Sequence, residues 1–158
     1  MSKQTVIKVE LKLAFKKVDK TDIGCKLIGM WTKSNYSHVE IILDGKWVSS
    51  DSDTGVVIRE LKPLKDNWDY VTLPTISLCN KHYSFLSKYI NNLNGGEYDW
   101  KGIIFSQTIP LGLHNKDKWF CSELVTKLLQ LMLVEEVIDI DPNLVSPRDL
   151  HDIFSKHI

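Results

Sequence analysis

Cys121 stands in the run Trp119-Phe120-Cys121-Ser122-Glu123-Leu124-Val125, where a polar loop gives way to an apolar helical pattern. A cysteine at such a junction meets unpaired backbone N–H groups and the positive end of the helix dipole, which stabilise a thiolate and raise the nucleophilic fraction at neutral pH. The same N–H groups suit an oxyanion hole. A buried cysteine acting as a small hydrophobe is the plainer alternative, and a base within reach decides between the two. His38 is the best candidate base. It follows Tyr36-Ser37 at the start of a β-branched apolar run, where a strand aims the ring rigidly. The other histidines, His82, His114, His151 and His157, fall in helical, loop or tail contexts and read as structural or solvated. Glu40, two residues beyond His38, shares its face of a strand at a spacing of roughly 6.7 Å. A carboxylate there could hold one tautomer of the imidazole and stabilise its charged form, as the third member of a triad does. Ser49, Ser50 and Asp51, at the end of the next strand, are rival orienters, and Glu123, in a first helical turn, reads as structural.

These side chains meet only if particular elements hold them. Ser37 to Leu43 is apolar and β-branched, Asp44-Gly45 is a strong hairpin signal, and Lys46 to Ser50 returns, so the spacing predicts a β-hairpin. Val56 to Glu60 and Trp68 to Leu73 continue as strands, the last ending at Pro74, which makes a small antiparallel sheet. Residues 4–15 alternate as one further strand, with a helical alternative left open by the spacing of Lys8, Lys12 and Lys16. Helices are expected over 22–32, over 80–93 with a stop at Gly95-Gly96, over 121–135, and after Ser146-Pro147, an N-cap followed by proline at the first helical position.

The 158 residues carry no repeat or linker and read as one domain over 1–158, of α+β class, with a small antiparallel sheet packed against helices. Twenty basic residues balance twenty acidic ones, so charge supplies no pull toward nucleic acid, and no nucleic-acid partner is expected. Three cysteines without paired spacing argue against a disulfide framework and fit a reducing cytoplasm. The start lacks the apolar core of a signal peptide, and no apolar run reaches membrane-span length, so no integral membrane association is expected. Phosphate-loop, HExxH, EF-hand and CxxC patterns are absent, so neither a metal nor a cofactor is expected.

Taken together, Tyr36-Ser37-His38-Val39-Glu40, the Gly45-to-Ser50 hairpin with Gly55-Val56, Gly96-Glu97-Tyr98-Asp99-Trp100, Trp119 to Leu124, and Ser146-Pro147 resemble the circularly permuted NlpC-type, papain-like cysteine hydrolases. The likeness spans about residues 20–150 and is nearest the YiiX-like branch common in bacteria and phages. It implies a permuted papain-like fold in which the histidine on a strand precedes a cysteine at a helix N-terminus. It further implies hydrolysis of amide bonds in peptides, or acyl transfer or hydrolysis on lipids, so the expected partner is a peptide or acyl substrate.

The resulting expectation is a cysteine peptidase or amidase with Cys121 as nucleophile, His38 as base and Glu40 as orienter. Tyr36, Ser50 and Trp119 are the candidate substrate-binding or oxyanion residues. The alternatives are a lipid or thioester acyl hydrolase using the same pair, and an inactive peptide-binding or virion-associated module on the same scaffold.

Overall fold

A computed structural model describes residues 5–19, 21, 35–51, 55–60, 65–94 and 120–157. The chemistry of the Asp44-Gly45 turn sets the register at the centre of the main sheet. Both residues have positive φ, 45° and 82°, the signature of a two-residue type I′ hairpin whose twist matches its strands. It joins β3 (Tyr36–Leu43) to β4 (Lys46–Asp51) in the register Leu43 to Lys46, Ile42 to Trp47 and Ile41 to Val48. β4 then pairs along its whole length with β5 (Gly55–Glu60), and β3 pairs on its other side with β2 (Leu11–Lys17), which in turn pairs with β6 (Trp68–Thr72). The result is a five-stranded antiparallel sheet in the order β5-β4-β3-β2-β6.

The segment expected to be one strand over 4–15 is two. β1 (Val6–Val9) leaves the main sheet to pair with β7 (Ile76–Cys79), while β2 stays in it. The break falls at Glu10, whose carbonyl accepts from the Asp44 N–H at 3.1 Å and whose own N–H donates to Asp44 Oδ1 at 3.0 Å. The hairpin tip thus takes the backbone groups that would have continued the ladder. Alternation runs unbroken through Glu10, so the period carries no trace of the change of sheet.

Among the described residues three α-helices complete the α+β fold: α1 (Asn80–Leu93), α2 (Phe120–Leu131) and α3 (Pro147–Phe154). Leu124, Val125, Leu128 and Leu129 form the buried face of α2 and, with Met132 just past its end, pack on Leu11, Leu13, Phe15, Val39, Ile41, Val48 and Val56 of the sheet. On the other face Ala14, Ile42 and Trp47 are buried with Trp68 and Tyr70 against them. α3 begins at a capping box: Ser146 Oγ accepts from the Asp149 N–H, and the Asp149 carboxylate accepts from the Ser146 N–H. The helix expected over 22–32 lies outside the described residues. Among the described residues no helix is long and apolar enough to cross a membrane.

α2 stops at Leu131, short of the expected 135. The Leu133 N–H donates to the Gln130 carbonyl at 2.9 Å and the Val134 N–H to that of Leu129 at 3.0 Å, the double closure of a Schellman motif. The motif needs a left-handed residue, and here it is Leu133 at φ 60°, without the glycine that would mark a stop in the sequence. Leu133 is 63% exposed, so it contributes little burial in return for its strain. Leu133→Gly is therefore expected to stabilise the fold by about 1 kcal/mol, the cost of a left-handed side-chain residue. In a chain of this size thermal denaturation should show a rise of roughly 2–4 °C.

Candidate active site

The site lies where the main sheet comes apart. A two-residue hairpin closes on a hydrogen-bonded pair, so Leu43 with Lys46 and Ile41 with Val48 exchange main-chain bonds, and Val39 with Ser50 would be next by alternation. That rung does not form. The β3–β4 ladder ends at Ile41 and Val48, while β3 runs on beside β2 and β4 runs on beside β5. α2 packs against both parted strands and brings its second residue, Cys121, to the opening. The Val39 N–H, turned toward the missing rung, donates to the Cys121 sulfur, as does the Ser122 N–H in the first turn of α2.

Cys121 is only 2% exposed, and burial alone would push its thiol pKa up. The opposite happens: the charge of His38, a hydrogen bond to His38 and the two backbone donors together hold it below the ordinary thiol range. Burial likewise lowers the pKa of His38, but the Cys121 thiolate, its hydrogen bond and then Glu40 override this and push the imidazole up to about 10. The two shifts belong to one coupled pair and both favour the thiolate–imidazolium form.

His38 Nε2 lies 3.1 Å from Glu40 Oε1, which leaves Nδ1 as the ring nitrogen for the thiol. Glu40 is buried, with its side chain 8% exposed, so the carboxylate is held rather than solvated and can fix both tautomer and ring direction. Trp68 stands edge-on to the imidazole, with ring centroids 6.0 Å apart, and forms an apolar wall beside it. His38 is the open end of the arrangement, with 21% of its side chain exposed.

The structure brings Cys121, His38 and Glu40 together in one hydrogen-bonded line. Ser49 and Ser50 do not enter it. Among the described residues, Ser49, Ser50 and Asp51 lie in the part of β4 that pairs only with β5, and Ser49 Oγ is buried without a hydrogen-bond partner. Ser50 is buried where β4 faces the missing rung. Tyr36 turns elsewhere than alternation suggests: its ring packs on Phe15, and its hydroxyl lies 2.7 Å from Asp69 Oδ2 and 3.1 Å from His151 Nε2. Trp119 lies outside the described residues, as do Tyr98, Asp99 and Trp100.

Two features near the site have no signature in the sequence. One is the Val39 N–H, because a backbone donor has no residue signature. The other is the Tyr36, Asp69 and His151 cluster, because its members come from β3, β6 and α3. Glu123 pairs with Lys127 one turn on, as a helix-stabilising pair does. Among the described residues no group of three or more His, Cys, Asp or Glu side chains is placed to hold a metal ion. No family model, curated protein or solved structure matches this chain.

The coupled shifts give a pH dependence of definite sign. In the native protein the rate of Cys121 alkylation by iodoacetamide, followed by peptide mass spectrometry, should rise with pH along a curve displaced below that of an ordinary thiol. In His38→Ala the lowering charge is gone and burial dominates, so the curve should move upward past the ordinary range of about 8.5. Superimposable curves would sever the two residues.

Proposed function

We propose that the protein is a cysteine hydrolase, a peptidase or amidase working through an acyl-enzyme. The observation that carries this reading is the buried line Cys121, His38 and Glu40, with the thiol lowered and the imidazole raised. In the first half-reaction the Cys121 thiolate attacks the carbonyl carbon, and His38, already protonated, gives its proton to the departing amine. The C–N bond breaks and a thioester remains on Cys121. In the second, neutral His38 takes a proton from water, hydroxide attacks the thioester, and the regenerated thiolate takes its place beside the imidazolium. Glu40 keeps Nε2 engaged throughout, so Nδ1 faces the reacting atoms. The N–H of Cys121 at the helix start is the expected oxyanion donor. Substrate approaches from the His38 side, the partly exposed end of a site whose sulfur is buried.

This reading agrees with the resemblance to permuted NlpC-type, papain-like hydrolases, in which the histidine also precedes the cysteine. Cys79 and Cys121, neither of them in a disulfide, suit a reducing cytoplasm, that of a bacterium or of a phage-infected host. The burial of Cys121 favours one second reading, a peptide-binding module in which the pair is structural. Acylation separates the two.

Intact-mass analysis after exposure to peptidyl acyloxymethyl ketones and to p-nitrophenyl acyl esters should show a single adduct that maps to Cys121 and is absent in Cys121→Ala. Preference for the peptidyl reagents supports a peptidase, and preference for the esters an acyl hydrolase. With a turned-over substrate, His38→Ala should lose about 10²–10⁴-fold in rate, the usual worth of a positioned proton carrier. The native rate should fall as pH rises through about 10, where the imidazolium is lost. No adduct with either class would leave the binding module.

A further inference from the structure

The register of β2 against β3 slips by one residue just before the site: Lys16 pairs with His38, but Lys17 pairs with Tyr36. Ser37 is therefore the extra residue of a β-bulge, a device that re-aims side chains. Strict alternation would put Tyr36, His38 and Glu40 on one face. With the bulge, Tyr36 joins Phe15 on the α2 side of the sheet, and His38 keeps the face of Trp68 and Glu40. The aim of His38 thus depends on the bulge staying where it is.

Tyr36 is what pins it. Its hydroxyl donates to Asp69 Oδ2 of β6 at 2.7 Å, because a carboxylate only accepts. The hydroxyl hydrogen is then spent, so His151 of α3, with Nε2 at 3.1 Å, donates to the phenol oxygen. The two rings lie against each other at 4.5 Å, and His151 also meets Phe15 edge-on at 5.2 Å. Asp69 is fixed in turn by Lys17 Nζ at 2.7 Å, and Asp152 Oδ1 lies 3.7 Å from His151 Nδ1. Four elements, β2, β3, β6 and α3, converge on one side chain two residues from His38.

We infer that Tyr36 and His151 are positioning residues for His38: by clamping the bulge at Ser37 they set the direction from which the imidazole meets Cys121. The inference rests on the cysteine-hydrolase reading and extends it to α3, whose influence passes through Tyr36 rather than through the thiol or the imidazole. It also assigns His151 a role that its sequence context, a short polar helix, did not suggest.

The test uses the full chain and iodoacetamide alone. Tyr36→Phe keeps the ring and removes both hydrogen bonds, His151→Phe keeps the stack and removes the donor, and Asp69→Asn keeps an acceptor and serves as the conservative control. Misplacing a reacting group by about 1 Å can cost as much as 10²-fold, so both phenylalanine variants should lose about tenfold or more of Cys121 alkylation below the ordinary thiol range. Their pH curves should move upward, while Asp69→Asn stays close to the native curve. A fall in melting temperature with an unmoved curve in both phenylalanine variants would make the cluster merely structural and overturn the inference. If Tyr36→Phe fails to fold, His151→Phe on partly exposed α3 decides alone. An ordinary thiol curve in the native protein would instead overturn the hydrolase reading itself, so the two failures are told apart.

Discussion

His38 stands between Cys121 and Glu40 and hydrogen-bonds to both, and this one imidazole is what joins the helix start to the strand. With its proton the imidazole presents one N–H to the sulfur and one to the carboxylate, and each anion in turn favours the charged ring. Cys121 and His38 depend on each other for this. Without His38, burial returns Cys121 to the thiol, and without Cys121, burial pulls the imidazole back toward neutrality.

The rest of the fold serves the meeting of these three side chains. The type I′ turn at Asp44-Gly45 sets a register in which Val39 faces Ser50, and the strands then part before that rung can form. An unpaired main-chain N–H in a protein interior is costly unless something accepts from it. The acceptor is the Cys121 sulfur, so the interruption of the sheet also supplies one of the donors that hold its pKa down. α2 is held in place for this at both ends. Ser122 Oγ donates to the Val145 carbonyl at 2.6 Å beside Cys121, and His82 of α1 engages the Leu131 carbonyl at the far end. Between them the apolar face of α2 seals the sheet.

How much of this the sequence carried depended on whether a feature has a local signature. The hairpin, α1 and the capped start of α3 were legible because Asp44-Gly45, the spacing of Leu86, Ile90 and Leu93, and Ser146-Pro147 are local and chemically specific. Cys121, His38 and Glu40 stood out for the same reason: a thiol at a helix start, and an imidazole and a carboxylate two apart on a strand. What escaped is non-local or a matter of backbone. The change of sheet at Glu10 preserves alternation, the end of α2 puts Leu133 where a glycine would have signalled it, and β7 is only four residues long and starts two residues after Pro74. The bulge at Ser37 turns Tyr36 to the face opposite His38, and one inserted residue in a pairing register is invisible until the partner strand is known. Asp69 and His151 lie 33 and 115 residues from Tyr36 along the chain, beyond any motif.

The protonation state of His38 is the most direct test of the ion pair, and it can be read without substrate or reagent. Imidazole carbon and nitrogen shifts, followed by NMR across neutral pH in the native protein and in Cys121→Ala, report it. The ring should stay protonated through neutrality in the native protein, losing its proton near pH 10, and its pKa should drop markedly once the sulfur is gone. A native His38 that titrates near the ordinary value of about 6.5, unmoved by removal of the thiol, would contradict the ion pair and with it the catalytic reading.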